Sequence, residues 1–312
     1  MGAGGSVYSI NDTIAFKCAN VYDNPQPSHA EDIAESAEKA AHEQEIYKIL
    51  MANPHPFILR GILLIPEGIF MERMVGTLYD RIKEPVRSRP PPPPSDLERR
   101  WILQLSSAVA WLETLGLAHG DLRPKNILLA SNDDIRVADF DVTRRVGEEV
   151  YTVTAPFGKM NPGWKHPIAG PGTEQFALAS CIYNIRFGEE PMSDIDGPEM
   201  VQMLMRGELP PRPDDGELGD LLVDCWSEKF ESIAAVDEKL RKLFGAKDCV
   251  APVEDSSRGE MLLADCHRFL EKEKFEREKF EREKFEREKF EKEKLEKEER
   301  QTDMAVGGVF LP

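Results

Sequence analysis

Hydrophobic and polar positions change rhythm once along this chain. In "SVYSINDTIAFKC", residues 6 to 18, two short β-rich runs flank Asn11 and Asp12, which is a hairpin signal. Residues 30 to 52 are rich in Ala and Glu and carry helical spacing. Two further apolar runs, "FILRGILLI" at 57 to 65 and "IFMERM" at 69 to 74, are separated by Pro and Gly and read as strands. A small sheet with one helix is therefore expected first. From residue 96 the pattern lengthens, beginning with "DLERRWILQLSSAVAWLETLG". Ser95 and Glu98 have the spacing of a capping box, and Gly116 stands where a helix would stop. Later helices are expected at 173 to 187, 198 to 206, 216 to 226 and 233 to 244. A β-rich first lobe thus precedes a helical second lobe, in an α+β class.

The 312 residues, 41% of them hydrophobic, suffice for one two-lobed domain of about 250 residues and a tail. No run approaches the roughly 18 uncharged apolar residues of a membrane span, and the start lacks a secretory pattern. A transmembrane segment is not expected; the cytoplasm is the expected location, with the nucleus as the alternative. Five cysteines, at 18, 181, 225, 249 and 266, are spaced too irregularly for a disulfide framework or a zinc site and read as reduced thiols. A net charge of -17 argues against a nucleic-acid partner, because neutralising phosphates needs clustered Lys and Arg.

Two segments are of low complexity. "RSRPPPPPS" favours polyproline II; Arg87, Pro90 and Pro93 fit a ligand for an SH3-type partner at 87 to 93, although a stiff spacer is the preferred reading. The tail repeats "FEREK" with period five, so Phe275, Phe280, Phe285 and Phe290 spiral around a helix instead of forming a seam. Glu273 and Arg277, and the same pair one and two repeats on, favour a solvated single helix, and a monomer is expected. "MGAGGS" fits the myristoylation pattern, but those glycines have another reading.

That reading comes from "HGDLRPKNILL", residues 119 to 129, which sets a carboxylate and an amide beside a strand. Together with "GAGGSV", "AFK" and "DFD" in the same order, it resembles the protein kinase family over roughly residues 1 to 245. The resemblance implies a two-lobed fold with ATP and Mg2+ as cofactors and a protein substrate. It implies that Lys17 meets the phosphates and is held by Glu43, with Glu45 as the alternative partner. Gly2 and Gly5 would belong to the phosphate loop, whose first glycine would precede Met1, so the first strand of the small lobe is expected to be missing. Val7 and Ala15 would cover the adenine, Leu128 would lie beneath it, and Met71, Glu72 and Met74 would edge the same pocket. Asp121 would accept the proton of the attacking hydroxyl, Arg123 would reach the transferred phosphate, and Asn126 and Asp139 would bind magnesium. His119 reads as a packed histidine, since Asp121 already fills the role of base.

Departures from the family pattern are as informative. Gly120 replaces an arginine that would read a phosphate on the activation loop, and Asp141 replaces the glycine of the metal-binding turn. Between 142 and 173 no Ala-Pro-Glu signature stands, and Ile233 occupies the place of the arginine that would pair with its glutamate. Glu174 takes the place of the aspartate that braces the catalytic loop. The expected organisation is a small lobe at 1–74, a helical lobe at 75–246, a linker at 247–269, a charged helix at 270–300 and a flexible end at 301–312. Transfer of phosphate to Ser or Thr of a protein is the primary functional expectation. The rivals are a catalytically impaired pseudokinase acting as an ATP-binding or scaffold module and a small-molecule phosphotransferase of the aminoglycoside or choline kinase type.

Overall fold

The computed structural model describes residues 5–22, 24–82, 91–246 and 256–306, which fall into two units, Met1–Gly259 and Glu260–Pro312. The first unit opens with the expected hairpin, β1 (Ser6–Ser9) and β2 (Ile14–Cys18). Its turn is held by Asn11, whose Oδ1 accepts the backbone N–H groups of Thr13 and Ile14, both at 2.8 Å. This is the local hydrogen bonding that makes Asn a turn residue. Helix α1 (Ala30–Ala52) follows, then β3 (Gly61–Ile65) and β4 (Gly68–Glu72). The four strands form one sheet in the order β1-β2-β4-β3, with Val7 opposite Lys17 and Ala15 opposite Met71. Glu43, Ile46, Tyr47 and Leu50 lie on the buried face of α1, the spacing of one helix stripe.

After β5 (Gly76–Thr77) and the single turn α2 (Leu78–Arg81), the chain enters α3 (Asp96–Thr114). Both halves of the expected capping box form: Glu98 N–H donates to Ser95 Oγ at 3.2 Å, and Ser95 N–H donates to Glu98 Oε2 at 2.6 Å. Then come β6 (Leu117–Ala118), β7 (Ile127–Leu129), β8 (Ile135–Val137) and β9 (Arg144–Arg145). Pairing of Ile127 with Val137 places residue 126 beside residue 138, and the Ala138 N–H donates to Asn126 O at 2.9 Å. That pairing decides where the chemistry can converge.

Helices α4 (Pro171–Phe187), α5 (Gly197–Met205), α6 (Gly216–Trp226) and α7 (Ile233–Leu243) complete the unit. Every residue of α4 from Thr173 to Ile182 is buried, as expected of a helix at the centre of a core. Near its end, buried Arg186 is satisfied by Glu98 Oε1 at 2.7 Å, Asp215 Oδ2 at 2.9 Å and Pro92 O at 2.8 Å. It pins the proline run and the start of α3 to the core. Cys18, Cys181, Cys225 and Cys266 are free and buried.

The second unit continues α8 (Ser256–Val306). Residues 256–269, expected as linker, are therefore helical, and the helix runs past 300 into the stretch expected to be flexible. Phe275 and Phe280 are 65% and 67% exposed, in keeping with a spiral that builds no seam. Gly2, Arg87, Pro90 and Cys249 lie outside the described residues, so the SH3-ligand reading falls largely outside them. Among the described residues no helix is long and apolar enough to cross a membrane.

Candidate functional site

A cleft of about 1050 Å³ opens between the sheet and the helical part of the first unit. Gly5, Val7, Ala15, Lys17, Glu43, Met71, Glu72, Met74, Asp121, Arg123, Asn126, Leu128 and Asp139 all border it, so every described site residue expected from the sequence converges there. Ala15 and Leu128 supply apolar wall, and Val7 is 62% exposed at the mouth. After β4, Arg73 N–H donates to Thr13 O at 2.8 Å and Val75 N–H donates to Leu129 O at 2.9 Å, which bonds the crossing to both lobes on either side of Met74. Glu72 is also paired with Arg258.

Three charges form the centre of the cleft. Lys17, on β2, sends Nζ to Glu43 at 2.8 Å (Oε1) and 2.7 Å (Oε2), and to Asp139 Oδ1 at 2.5 Å. Glu45 is instead exposed and paired with Lys48, which resolves the choice between the two glutamates. Burial alone would lower the Lys17 ammonium, but the Glu43 and Asp139 carboxylates overcome it and raise it above the ordinary lysine range. Burial would likewise raise Asp139, and Lys17 overcomes it to hold that carboxyl below its usual value. At Glu43 burial outweighs the pull of Lys17, and Asp139 adds to the upward push. Lys17 is thus held protonated and Asp139 ionised. Glu43 Oε1 also accepts the Phe140 N–H at 3.1 Å, so one carboxylate fixes both the lysine and the turn that follows Asp139. Asp139 has φ 68, a sparsely populated conformation for a residue with a side chain, of the kind that clusters at functional sites.

The loop between β6 and β7 supplies the opposite wall. Asn126 Nδ2 donates to Asp121 O at 2.9 Å and to Asp121 Oδ2 at 3.0 Å, which orients the carboxylate and leaves the amide oxygen of Asn126 as its available acceptor. Arg123 Nε lies 2.9 Å from Asp121 Oδ2, close enough for an ion pair but misaligned for a hydrogen bond. His119 is fully buried: its Nε2 bonds Ala138 O at 2.9 Å, its Nδ1 accepts the Asp121 N–H at 3.3 Å, and its ring packs on Phe140 at 5.2 Å. Both ring nitrogens are thus used structurally. Among the described residues no cluster of three or more carboxylate, imidazole or thiolate ligands forms. A hard dication such as Mg2+ is held by one or two carboxylates, waters and substrate phosphates, and the oxygens of Asp139 and Asn126 fit that demand.

The departures have visible causes. Gly120 has φ 83, and a Cβ there would stand 2.9 Å from Val142 O, so the backbone as folded disfavours a side chain. Glu174 reaches the loop that it was expected to brace, accepting the N–H groups of His119 at 2.9 Å and Gly120 at 3.3 Å. Asp141 borders the cleft, and burial together with Asp139 raises its carboxyl. Three features were not anticipated. Tyr47, four residues after Glu43, packs edge-on against Phe140 at 5.6 Å with its buried hydroxyl unpartnered; helical spacing from Glu43 could have marked it. His42 Nε2 bonds Thr143 O at 2.7 Å, tying α1 to the chain beyond Asp139. Lys159 pairs with Glu228, a contact between two coil residues with no signal in the sequence pattern.

The sequence pattern of the family described as "Protein tyrosine and serine/threonine kinase" matches residues 30–243. Ephrin type-A receptor 7 of Gallus gallus is 28% identical over 155 residues, which is 44% of this chain and 15% of that protein. The carbon catabolite-derepressing protein kinase of Secale cereale is 27% identical over 183 residues, 55% of this chain and 35% of that protein. The matched regions take in well under half of either relative's length.

Proposed function

The chain belongs to the protein kinase family, and from that premise we propose that it binds Mg-ATP in the cleft and transfers the terminal phosphoryl group to a Ser or Thr hydroxyl of a protein. The observation that carries this reading is the triple contact of Lys17 with Glu43 and Asp139, facing Asp121 and Asn126 across one cleft. Bound Mg-ATP supplies the transferable phosphoryl group and the charge-neutralising metal. Lys17 presents a fixed cation to the phosphates, and Asp139 with Asn126 offers oxygen ligands to the metal. Asp121, oriented by Asn126, takes the proton of the attacking hydroxyl as the new oxygen–phosphorus bond forms and the old one to the leaving diphosphate breaks. Arg123 offsets negative charge beside Asp121.

A second reading, a pseudokinase that binds nucleotide without turnover, is favoured by Asp141, which adds a carboxylate to the wall already holding Asp121 and Asp139. One experiment separates the two: titration with ATP in the presence and absence of Mg2+, followed by phosphotransfer to a generic protein acceptor and analysis of the modified residue. Binding with transfer to Ser or Thr supports the first reading and binding alone the second. Absence of nucleotide binding overturns both.

A further inference from the structure

The segment between β9 and α4 has no Ala-Pro-Glu signature, and Ile233 stands where the arginine partner of that glutamate would be. The fold nevertheless joins the two regions. Lys159, in the middle of the segment, pairs through Nζ with Glu228 Oε1, in the turn between α6 and α7. Its other oxygen, Oε2, lies over the first turn of α4, so close that a Cβ on Gly172 would stand 2.5 Å from it. An anion is favoured at that end of a helix. Gly172 is what leaves room for the carboxylate.

The turn bearing Glu228 is itself clamped to α4. Gln175 Nε2 donates to Phe230 O and Gln175 Oε1 accepts the Phe230 N–H, both at 3.3 Å. Glu228 has φ 56 in the turn that closes α6, where Lys229 N–H donates to Asp224 O at 3.0 Å, so the helix end itself fixes the backbone that carries the carboxylate. On the segment's side, buried Phe157 lies two residues before Lys159, and Pro156 O accepts the Ser180 hydroxyl of α4 at 3.0 Å. A continuous path results: segment, Lys159, Glu228, Gln175, then α4, whose Glu174 holds the backbone of His119 and Gly120 beside Asp121.

We propose that Lys159 and Glu228 are positioning residues, a charge clasp that holds residues 150–168 against α4 as the platform for a protein substrate. Its cation is on the segment and its anion on the helical lobe, the reverse of the family's pair. The substrate part of this proposal rests on the kinase reading above; the clasp itself does not.

The test uses the full chain with Lys159→Glu, Glu228→Lys, the double exchange, and Gly172→Ala, which displaces the Glu228 carboxylate without changing any charge. Amide hydrogen exchange over 150–168 is measured beside phosphotransfer kinetics. A half-exposed pair is worth little in absolute terms, so each single variant should speed exchange of this segment by about two- to fivefold. KM for a protein acceptor should rise while KM for ATP stays near wild type. The double exchange should lie closer to wild type than either single variant, which is the signature of direct coupling. Unchanged exchange in all three single variants, or purely additive behaviour in the double, overturns the clasp. A protein without phosphotransfer fails the kinase reading alone, because the exchange measurements still decide the clasp. Intact clasp coupling with an unmoved acceptor KM overturns the platform role.

Discussion

Glu174 and His119 are joined by a buried hydrogen bond, the His119 N–H donating to Glu174 Oε2 at 2.9 Å, while the other carboxylate oxygen takes the Gly120 N–H at 3.3 Å. The central helix thereby reaches across the core and sets the backbone from which Asp121 projects. An aspartate arm would be one methylene shorter; the glutamate arm spans the distance from α4 to the loop that is present here.

Replacing Glu174 by Ala leaves two amide groups without their acceptor in a buried place, each worth about 1–3 kcal/mol when unpaired. We expect a loss of roughly 2–4 kcal/mol in denaturant unfolding and a lower temperature midpoint. Glu174→Gln, which can still accept through one oxygen, should lose less. Equal stability of Glu174→Ala and wild type would show that the brace carries no energy.

Asp121→Ala should leave nucleotide affinity almost unchanged, because a proton acceptor acts on the transition state and not on the bound ground state. Turnover should fall by about 10²- to 10⁴-fold. Calorimetric binding beside a phosphotransfer assay checks both; a parallel loss of affinity and rate would reassign Asp121 to binding.

Asp139→Asn removes one carboxylate from Lys17 and, on the proposed reading, from the metal as well. Nucleotide affinity in the presence of Mg2+ should fall much more than metal-free affinity, since the hard cation needs the charged oxygen. Titrations with and without Mg2+ that weaken equally would sink the metal assignment.

Where periodicity and capping carry information, the chain could be read closely. The hairpin about Asn11, the stripe Glu43, Ile46, Tyr47 and Leu50, and the Ser95–Glu98 capping box all form as their spacing implies. Glu43 could be preferred to Glu45 because only one of the two shares that stripe. Long-range contacts between isolated polar residues could not be read. Lys159 and Glu228 sit in coil, 69 positions apart, and neither hydrophobic period nor turn chemistry connects them. The upstream start of α8 was hidden by Gly259, which argues for a break but is tolerated inside the helix.

His55 offers a pH test outside the cleft. Burial and Arg136 push its imidazole down to about 4, against the opposing pull of Asp237. It stacks on Trp111 at 5.2 Å, and its Nδ1 accepts the Phe57 N–H at 3.3 Å. Because the folded value lies below the ordinary 6.5, the unfolded chain binds the proton first. The neutral-histidine contribution is complete above pH 6.5 and is lost as pH falls towards 4. Allowing for its residual solvent contact, about 1–2 kcal/mol should disappear across that window. The difference in unfolding free energy between wild type and His55→Asn should therefore slope from pH 6.5 to 4 and flatten above; a flat difference throughout refutes the shift.

Asp141 is where charge and backbone freedom can be told apart. Glycine in the metal-binding turn would offer both a missing charge and access to positive φ. Here the left-handed conformation belongs to Asp139, at φ 68, and not to Asp141. Its carboxyl is raised first by burial and then by Asp139, so the charge rather than the backbone is the feature to test. Asp141→Gly should then raise turnover by roughly three- to tenfold, a change of about 1 kcal/mol in the barrier. Asp141→Asn, which removes the charge but keeps the side chain, should recover most of that gain. If Asp141→Gly is faster and Asp141→Asn is not, hinge freedom is the cause; if neither exceeds a wild type that turns over measurably, the added carboxylate is no impediment to catalysis.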